Sequence, residues 1–316
     1  MIAANQYADL TNAIVKIVEE HEQNGRWHEA VYTLKMGLKM TRGARHNASY
    51  QAHLQARLAG LLLKQGEFGT AMALLRQAKQ TADQVDDPAL CALTLFYLGE
   101  LHYVKCFAML VGNHYQTLDY HCQALQLFIE LENFQQVALS LGRIGLIHER
   151  LGHESQAAAH YAQALQLSEA INYKRGMARP MARLGAYHQT RCEWLPALRY
   201  AQYTLVVRTE AADQEGLIFA LHQMAVTTIK VYCQFDKALA YAQQALAIAE
   251  ELDFKLAIAQ TLFLIGQLYD RQGNHHLATE YFLQTAVLAD EYHFEALSRP
   301  ALTKIATMSA DYECVN

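Results

Sequence analysis

Leu141–Asn172 reads LGRIGLIHERLGHESQAAAHYAQALQLSEAIN, two apolar-striped stretches on either side of Leu151-Gly152-His153-Glu154. Apolar residues returning every three or four positions predict an amphipathic helix on each side, and the glycine-centred break predicts a tight turn between them. The same layout recurs. Gly145, Ala157, Tyr161 and Ala164 are followed by Gly185, Ala197, Ala201 and Thr204, then by Val226, Ala238, Ala242 and Ala245, then by Gly266, Ala278, Phe282 and Thr285, in steps of 40, 41 and 40 residues. A fixed period of this length is the signature of stacked helical hairpins.

Earlier copies keep the register less cleanly. The second-helix anchors run Ala30, Ala71, Thr117, Ala157, Ala197, Ala238 and Ala278, with one long step of 46 residues between Ala71 and Thr117. That step reads as a longer first helix or loop near 82–111. Gly25, Gly66 and Gly112 stand before their anchors as Gly152 stands before Ala157. The small residues imply close passage of paired helices, since each glycine costs about 1 kcal/mol in helix propensity and is nevertheless repeated. Val18 and Lys105 replace the small residue of the first helix, and Tyr161 and Phe282 are expected to fill space between hairpins.

Ile144-Gly145, His148, Gly152, Ala157, Tyr161 and Ala164, with Ile265-Gly266, Tyr269, Gly273, Ala278 and Phe282, resemble the tetratricopeptide repeat family in its longer form of about 40 residues. The resemblance covers roughly 7–310, with Thr204 and Thr285 departing from the late alanine. It implies an all-α, right-handed superhelix of about seven hairpins plus a C-terminal capping helix. It also implies that the first helices line a concave surface and that the chain binds proteins or peptides.

The pattern predicts helices over 7–24, 27–39, 49–65, 69–84 and 89–111, and repeats over 133–171, 173–211, 213–251 and 254–291. A polar, irregular connection is expected at 41–49, an elongated third repeat at 89–131, a capping helix at 294–310 and a short tail after it, all in one domain spanning 1–316. All four prolines are placed near helix starts, Pro180 trimming or kinking its helix. The 89–111 helix is apolar on several sides, which implies burial in the array or a wall exposed for a partner or a second copy.

Composition narrows the function. Apolar residues make up 52%, charged residues 18%, and the net charge is -5, which argues against a nucleic-acid scaffold. No run of 18 apolar residues predicts a membrane span, and charges within the first 20 residues break any secretory signal, so a cytoplasmic chain is expected. Six cysteines without a Cys-x-x-Cys pair read as free thiols, Cys192 and Cys233 taking a turn position that is glycine elsewhere. No His-Glu-x-x-His or phosphate-loop motif occurs, and His275-His276 reads as a surface pair. His148 and His188 stand where Tyr269 is aromatic and read as hairpin packing. No catalytic residue, cofactor or metal is expected.

By the family resemblance, the concave surface gathers Asn12 and Glu19, His53 and Arg57, His102, Glu149, Arg179 and Gln189, Gln223 and Lys230, and Gln260, Gln267 and Asp270. The set is mixed in sign and rich in amides, which both donate to and accept from a peptide backbone. The family's grip on a C-terminal carboxylate is not expected in the first repeats, because Val15, Glu19 and Arg57 fall there. His53, Arg57 and Lys64 are left as a weaker acidic-peptide site. The leading reading is a scaffold for a protein or extended peptide. A peptide- or small-molecule-sensing regulator and a structural protein assembling through 89–111 are the alternatives.

Overall fold

A computed structural model describes residues 2–23, 26–41, 48–65, 67–108, 113–292 and 294–313. Gly25, Gly66, Gly112 and most of the 41–49 connection lie outside the described residues. The chain is an all-α solenoid of paired helices: α1 Ile2–Gln23, α2 Trp27–Met40, α3 Ala48–Lys64, α4 Phe68–Ala82, α5 Pro88–Ala108, α6 His114–Glu130, α7 Phe134–Arg150, α8 Glu154–Ala170, α9 Lys174–Thr190, α10 Trp194–Glu210, α11 Gln214–Tyr232, α12 Phe235–Glu251, α13 Lys255–Gln272, α14 His275–Glu291 and α15 Glu295–Glu313. The last helix runs past the expected 310 and takes in Asp311–Glu313. Pro180 and Pro300 sit inside α9 and α15 instead of at their starts. Each removes one amide donor one to two turns into its helix, where the loss is felt.

Turn chemistry explains the regular spacing. Glu132, Gly152, Asn172, Cys192, Ala212, Cys233, Asp253 and Gly273 all have positive φ. At Gly152 the amide reaches the Glu149 carbonyl at 3.1 Å, and the next amide, of His153, reaches the His148 carbonyl at 2.9 Å. These two bonds satisfy carbonyls that the helix end leaves open. The residue that follows then opens the next helix: Asn133, Asp213 and Asn274 accept from the backbone N–H groups of Gln136, Gly216 and Leu277. Three-residue connections therefore both stop one helix and start another. The glycine at Gly152 adopts its angle freely, whereas alanine at Ala212, with φ 51, does so against its Cβ. Ala212→Gly is expected to stabilise by about 0.5–1 kcal/mol, left-handed strain relieved exceeding added chain entropy. Gly152→Ala should destabilise by about 1 kcal/mol. Thermal melts of the two variants check both signs.

Contacts divide the chain into two compact units, Met1–Leu167 and Ser168–Asn316. In the first, Val18, Leu34, Leu54, Leu62, Leu75, Leu90 and Leu101 form a core across α1–α5, and Phe96, Ala124, Phe128 and Val137 continue it into α6 and α7. In the second, a chain of clusters runs from Leu198, Ala201 and Met224 through Ala225, Ala238 and Ile265 to Ala278, Phe282 and Ala301. Each cluster joins helices that follow one another in the stack, as expected of a solenoid. Ala238, Ala242, Ala245 and Ala249 are fully buried on α12, where alanine lets flanking helices close in.

The small-residue register works within hairpins. A Cβ on Gly145 would lie 2.9 Å from the Tyr161 ring and 3.2 Å from the Ala157 carbonyl, and one on Gly266 would lie 2.8 Å from the Phe282 ring. At Gly185 the neighbours are Tyr200 and, more distantly, Gln223 of α11 and Ala197. Tyr161 and Phe282 thus seat on the glycine of their own hairpin before they reach a neighbour. The third repeat obeys the same rule: a Cβ on Gly99 would lie 2.7 Å from the His121 ring. Gly99, not Lys105, is its small residue. The extra residues of the long step fall between Gly99 and His121, so counting back 12 from Thr117 lands six residues too late.

Helix α5 is enclosed by α3, α4 and α6, and no side chain from Leu90 to Cys106 is exposed. Its apolar excess is spent inside the first unit. From Leu90 to Cys106 the side chains are buried or half-buried, as the reading of burial within the array expects.

Candidate functional site

Within each unit the first helices of successive hairpins pack on one another: α1 on α3 and α3 on α5, then α9 on α11, α11 on α13 and α13 on α15. The second helices show no comparable pairing among the described residues. The first-helix layer is therefore the more closely packed one, as expected of the inner layer of a repeat superhelix. This inner face is the candidate site.

In the first unit the expected residues have varied roles. Asn12 and Glu19 are exposed, and Glu19 Oε1 lies 3.1 Å from Arg57 Nη1, bridging α1 and α3. His53 is taken up elsewhere: its Nε2 is 3.2 Å from Asp87 Oδ2, which also accepts from Ser49 Oγ at 2.5 Å, while Asp87 Oδ1 caps the amide of Leu90. Burial, more than the neighbouring Asp87 can offset, holds the His53 pKa below its ordinary value. Lys64's side chain lies outside the described residues. The weaker acidic-peptide site expected at His53, Arg57 and Lys64 is not assembled by the parts described, since Arg57 and His53 already hold carboxylates.

His102 is half-buried and packs within its own hairpin. Its ring lies 5.2 Å from that of Tyr120 on α6, and the same pairing recurs as His148 with His160, His188 with Tyr200 and Tyr269 with Tyr281, at 5.3, 5.5 and 5.6 Å. These ring pairs close four of the hairpins. Glu149 accepts from the Tyr161 hydroxyl at 2.7 Å and steadies that ring.

Sequence reading missed a cluster that the corrected register reveals. Glu100 Oε2 is 2.6 Å from Arg143 Nη2, and Glu100 Oε1 is 3.5 Å from Nε2 of the buried His121. Burial pushes the His121 pKa down to about 4, with Glu100 pulling it up and Arg143 pressing it lower. Tyr97, beside Arg57 and Glu100, is pushed up to about 12 by burial.

In the second unit Arg179 and Lys230 are exposed, and Lys230 Nζ stands 5.1 Å from the centre of the Trp194 ring. Gln223 is a strut: its Nε2 donates to the Ala182 carbonyl at 2.8 Å, tying α11 to α9. Gln189, Gln260 and Gln267 are half-buried. Asp270 pairs with Lys304 of α15 at 2.9 Å and lies 3.6 Å from His275. His222 sits behind the face, its Nε2 2.7 Å from Thr261 Oγ1, and burial lowers its pKa to about 4.

Among the described residues no group of three or more His, Cys, Asp or Glu is arranged to hold a metal, and no helix is long and apolar enough to cross a membrane. Cys91, Cys106, Cys122, Cys192 and Cys233 are free thiols.

Tetratricopeptide repeat models match residues 138–171 and 233–286. No curated protein matches the chain. Among solved structures, it is similar to the STAND protein with a tetratricopeptide repeat sensor from Pyrococcus horikoshii, at 16% identity and TM-score 0.67, over 92% of this chain and 44% of that one. The chain thus spans less than half of that relative. It is also similar to a Rap protein solved in complex with Competence and Sporulation Factor (14% identity, TM-score 0.59, 98% of each chain). Aspartyl phosphate phosphatase F from Bacillus subtilis is a third such structure (14% identity, TM-score 0.58, 95% and 94%). The register of Gly145, Ala157 and Tyr161 continues through both matched segments and the hairpins between and around them, and the fold is that of a tetratricopeptide-like repeat solenoid.

Proposed function

We propose that the chain is a non-catalytic scaffold that holds an extended peptide segment of a protein partner along its first-helix faces. The fold generally mediates protein and peptide binding, and one observation supports the reading for this chain: first helices pack together while second helices show no comparable pairing among the described residues, and that first-helix layer carries the exposed Arg179 and the half-buried Gln260 and Gln267. Amides spaced along such a layer match the alternating donors and acceptors of an extended backbone. The similarity to a Rap protein bound to a peptide factor lends support to a sensing variant of the same reading, in which the bound peptide alters the curvature of a unit.

Selection of displayed random 12-residue peptides on the full chain tests the proposal. Enriched peptides should lose about tenfold or more in affinity on a Gln260→Trp, Gln267→Trp variant, a change of at least about 1.4 kcal/mol. Equal binding to the blocked variant, or no enrichment, would count against it. Gln223 is a poor probe, since replacing it also cuts the tie to α9.

A further inference from the structure

The three-residue connections bring one residue near the end of a helix against the residue that opens the next, across the αL position. At the α9–α10 connection His188 Nδ1 lies 2.6 Å from Glu193 Oε2, and at the α10–α11 connection Arg208 Nη1 meets Asp213 Oδ2. In both slots a nitrogen faces a carboxylate. The α7–α8 connection fills the same slot with two histidines: His148 Nδ1 lies 3.4 Å from His153 Nδ1. Among the described residues neither of these rings is paired with a carboxylate. Two groups of one kind, each able to offer a lone pair, stand where the other slots hold complements.

The pair is held in place from several sides. The His153 amide donates to the His148 carbonyl at 2.9 Å, and Gly152 between them keeps its left-handed angle, φ 77. The His148 ring stacks on that of His160, with centroids 5.3 Å apart and planes within 5°. The separation of the two nitrogens is informative. It is longer than the roughly 2.7–3.2 Å usual for an N–H donor and its acceptor. Two imidazole nitrogens bound at about 2.0–2.1 Å to one tetrahedral ion stand about 3.3–3.4 Å from each other.

We propose that His148 and His153 form a two-histidine zinc site at the α7–α8 connection. Their Nδ1 atoms, with the protons on Nε2, supply two tetrahedral positions, and water takes the other two. The ion provides the complement that Glu193 and Asp213 provide in their own slots. Imidazole suits zinc and its transition-metal neighbours, whereas magnesium and calcium prefer oxygen. His160 orients the His148 ring and is not a ligand: it stacks parallel to that ring, and no group of three or more ligating side chains forms among the described residues. An aromatic ring is enough for that role, since Tyr200 and Tyr281 fill it opposite His188 and Tyr269. The site is independent of the peptide-binding reading.

Isothermal titration of zinc chloride into the full chain, in a buffer that does not chelate metals, tests this. The tightest site should weaken about tenfold or more in His153→Ala, and equally in His148→Tyr, with circular dichroism unchanged. His153 is exposed, and tyrosine at 148 keeps the ring that Tyr269 supplies in its own hairpin, so both variants should fold. His160→Tyr, and His275→Ala with His276→Ala, should leave that site as it was. Excess magnesium should not displace the zinc. Absence of zinc uptake, or the same affinity in His153→Ala and His148→Tyr, overturns the proposal. Loss on His160→Tyr would make His160 a ligand and overturn the two-histidine assignment. Loss on changing His275 and His276 would place the zinc on that surface pair instead.

Discussion

Phe282→Ala is expected to destabilise the second unit by about 3–5 kcal/mol, the range for removing a large aromatic from a closed core. Phe282 has no exposed surface, its ring faces Gly266, and Phe263 lies 5.5 Å away in a tilted pair. Ala278, Ala286 and Ala301 line the remainder, and alanines have no long side chain with which to fill the void. The opposite error is also costly. Gly266→Ala presses a methyl into the ring and should destabilise by about 1–3 kcal/mol through overpacking. Combining Gly266→Ala with Phe282→Leu should cost less than the two changes added, because each relieves the other. Trp27 and Trp194 are the two tryptophans, one in each unit, so urea unfolding of a Trp27→Phe chain reads the second unit through Trp194 alone. Strict additivity would show that glycine and ring do not share the space assigned to them.

Acid should unfold both units well before their carboxylates are fully protonated. His121 and His222 are each held near 4 against an ordinary 6.5, mainly by burial. A histidine with a lowered folded pKa binds fewer protons folded than unfolded, so its contribution is complete above about pH 6.5 and is lost as pH falls toward 4. The loss is about 3 kcal/mol per residue. His53, His148 and His160 are lowered too, each first by burial, and act with the same sign. Asp87, whose carboxylate is held low by Ser49, the Leu90 amide and His53, adds to the loss at the acid end. His121→Phe separates the histidine from these. Phe282 shows that the site opposite a glycine accepts a phenyl ring, and phenylalanine does not titrate. In a Trp194→Phe background, which reports on the first unit, His121→Phe should flatten the dependence of the urea midpoint between pH 6.5 and 4. An unchanged slope would place the acid sensitivity elsewhere.

The fold was legible because its rule is periodic. Gly145, Gly185 and Gly266 announce the hairpin contact at a fixed distance from Ala157, Ala197 and Ala278, and the turns fall where αL residues must stand. The inner face was less legible because a position in a repeat does not say what a long side chain reaches. His53 turns to Asp87, Gln223 to a backbone carbonyl and Glu149 to Tyr161. Glu100 and Arg143 were missed because the third repeat was aligned six residues late, which hid Gly99 and its partner His121.

The irregular third repeat bears on how such a chain can grow. Ring partners elsewhere stand 12 residues apart, as in His148 with His160, but 18 apart in His102 with Tyr120, and still they meet. Between those two rings, length is decoupled from phase. At a three-residue connection it is not: one added residue that continued the helix would rotate everything after it by about 100° and swing its apolar stripe off the neighbour. One residue inserted at Gly152 or Ala212 is therefore expected to disturb the stacking of the hairpins that follow it in sequence, whereas the third hairpin already carries six more residues between its paired rings than the others do.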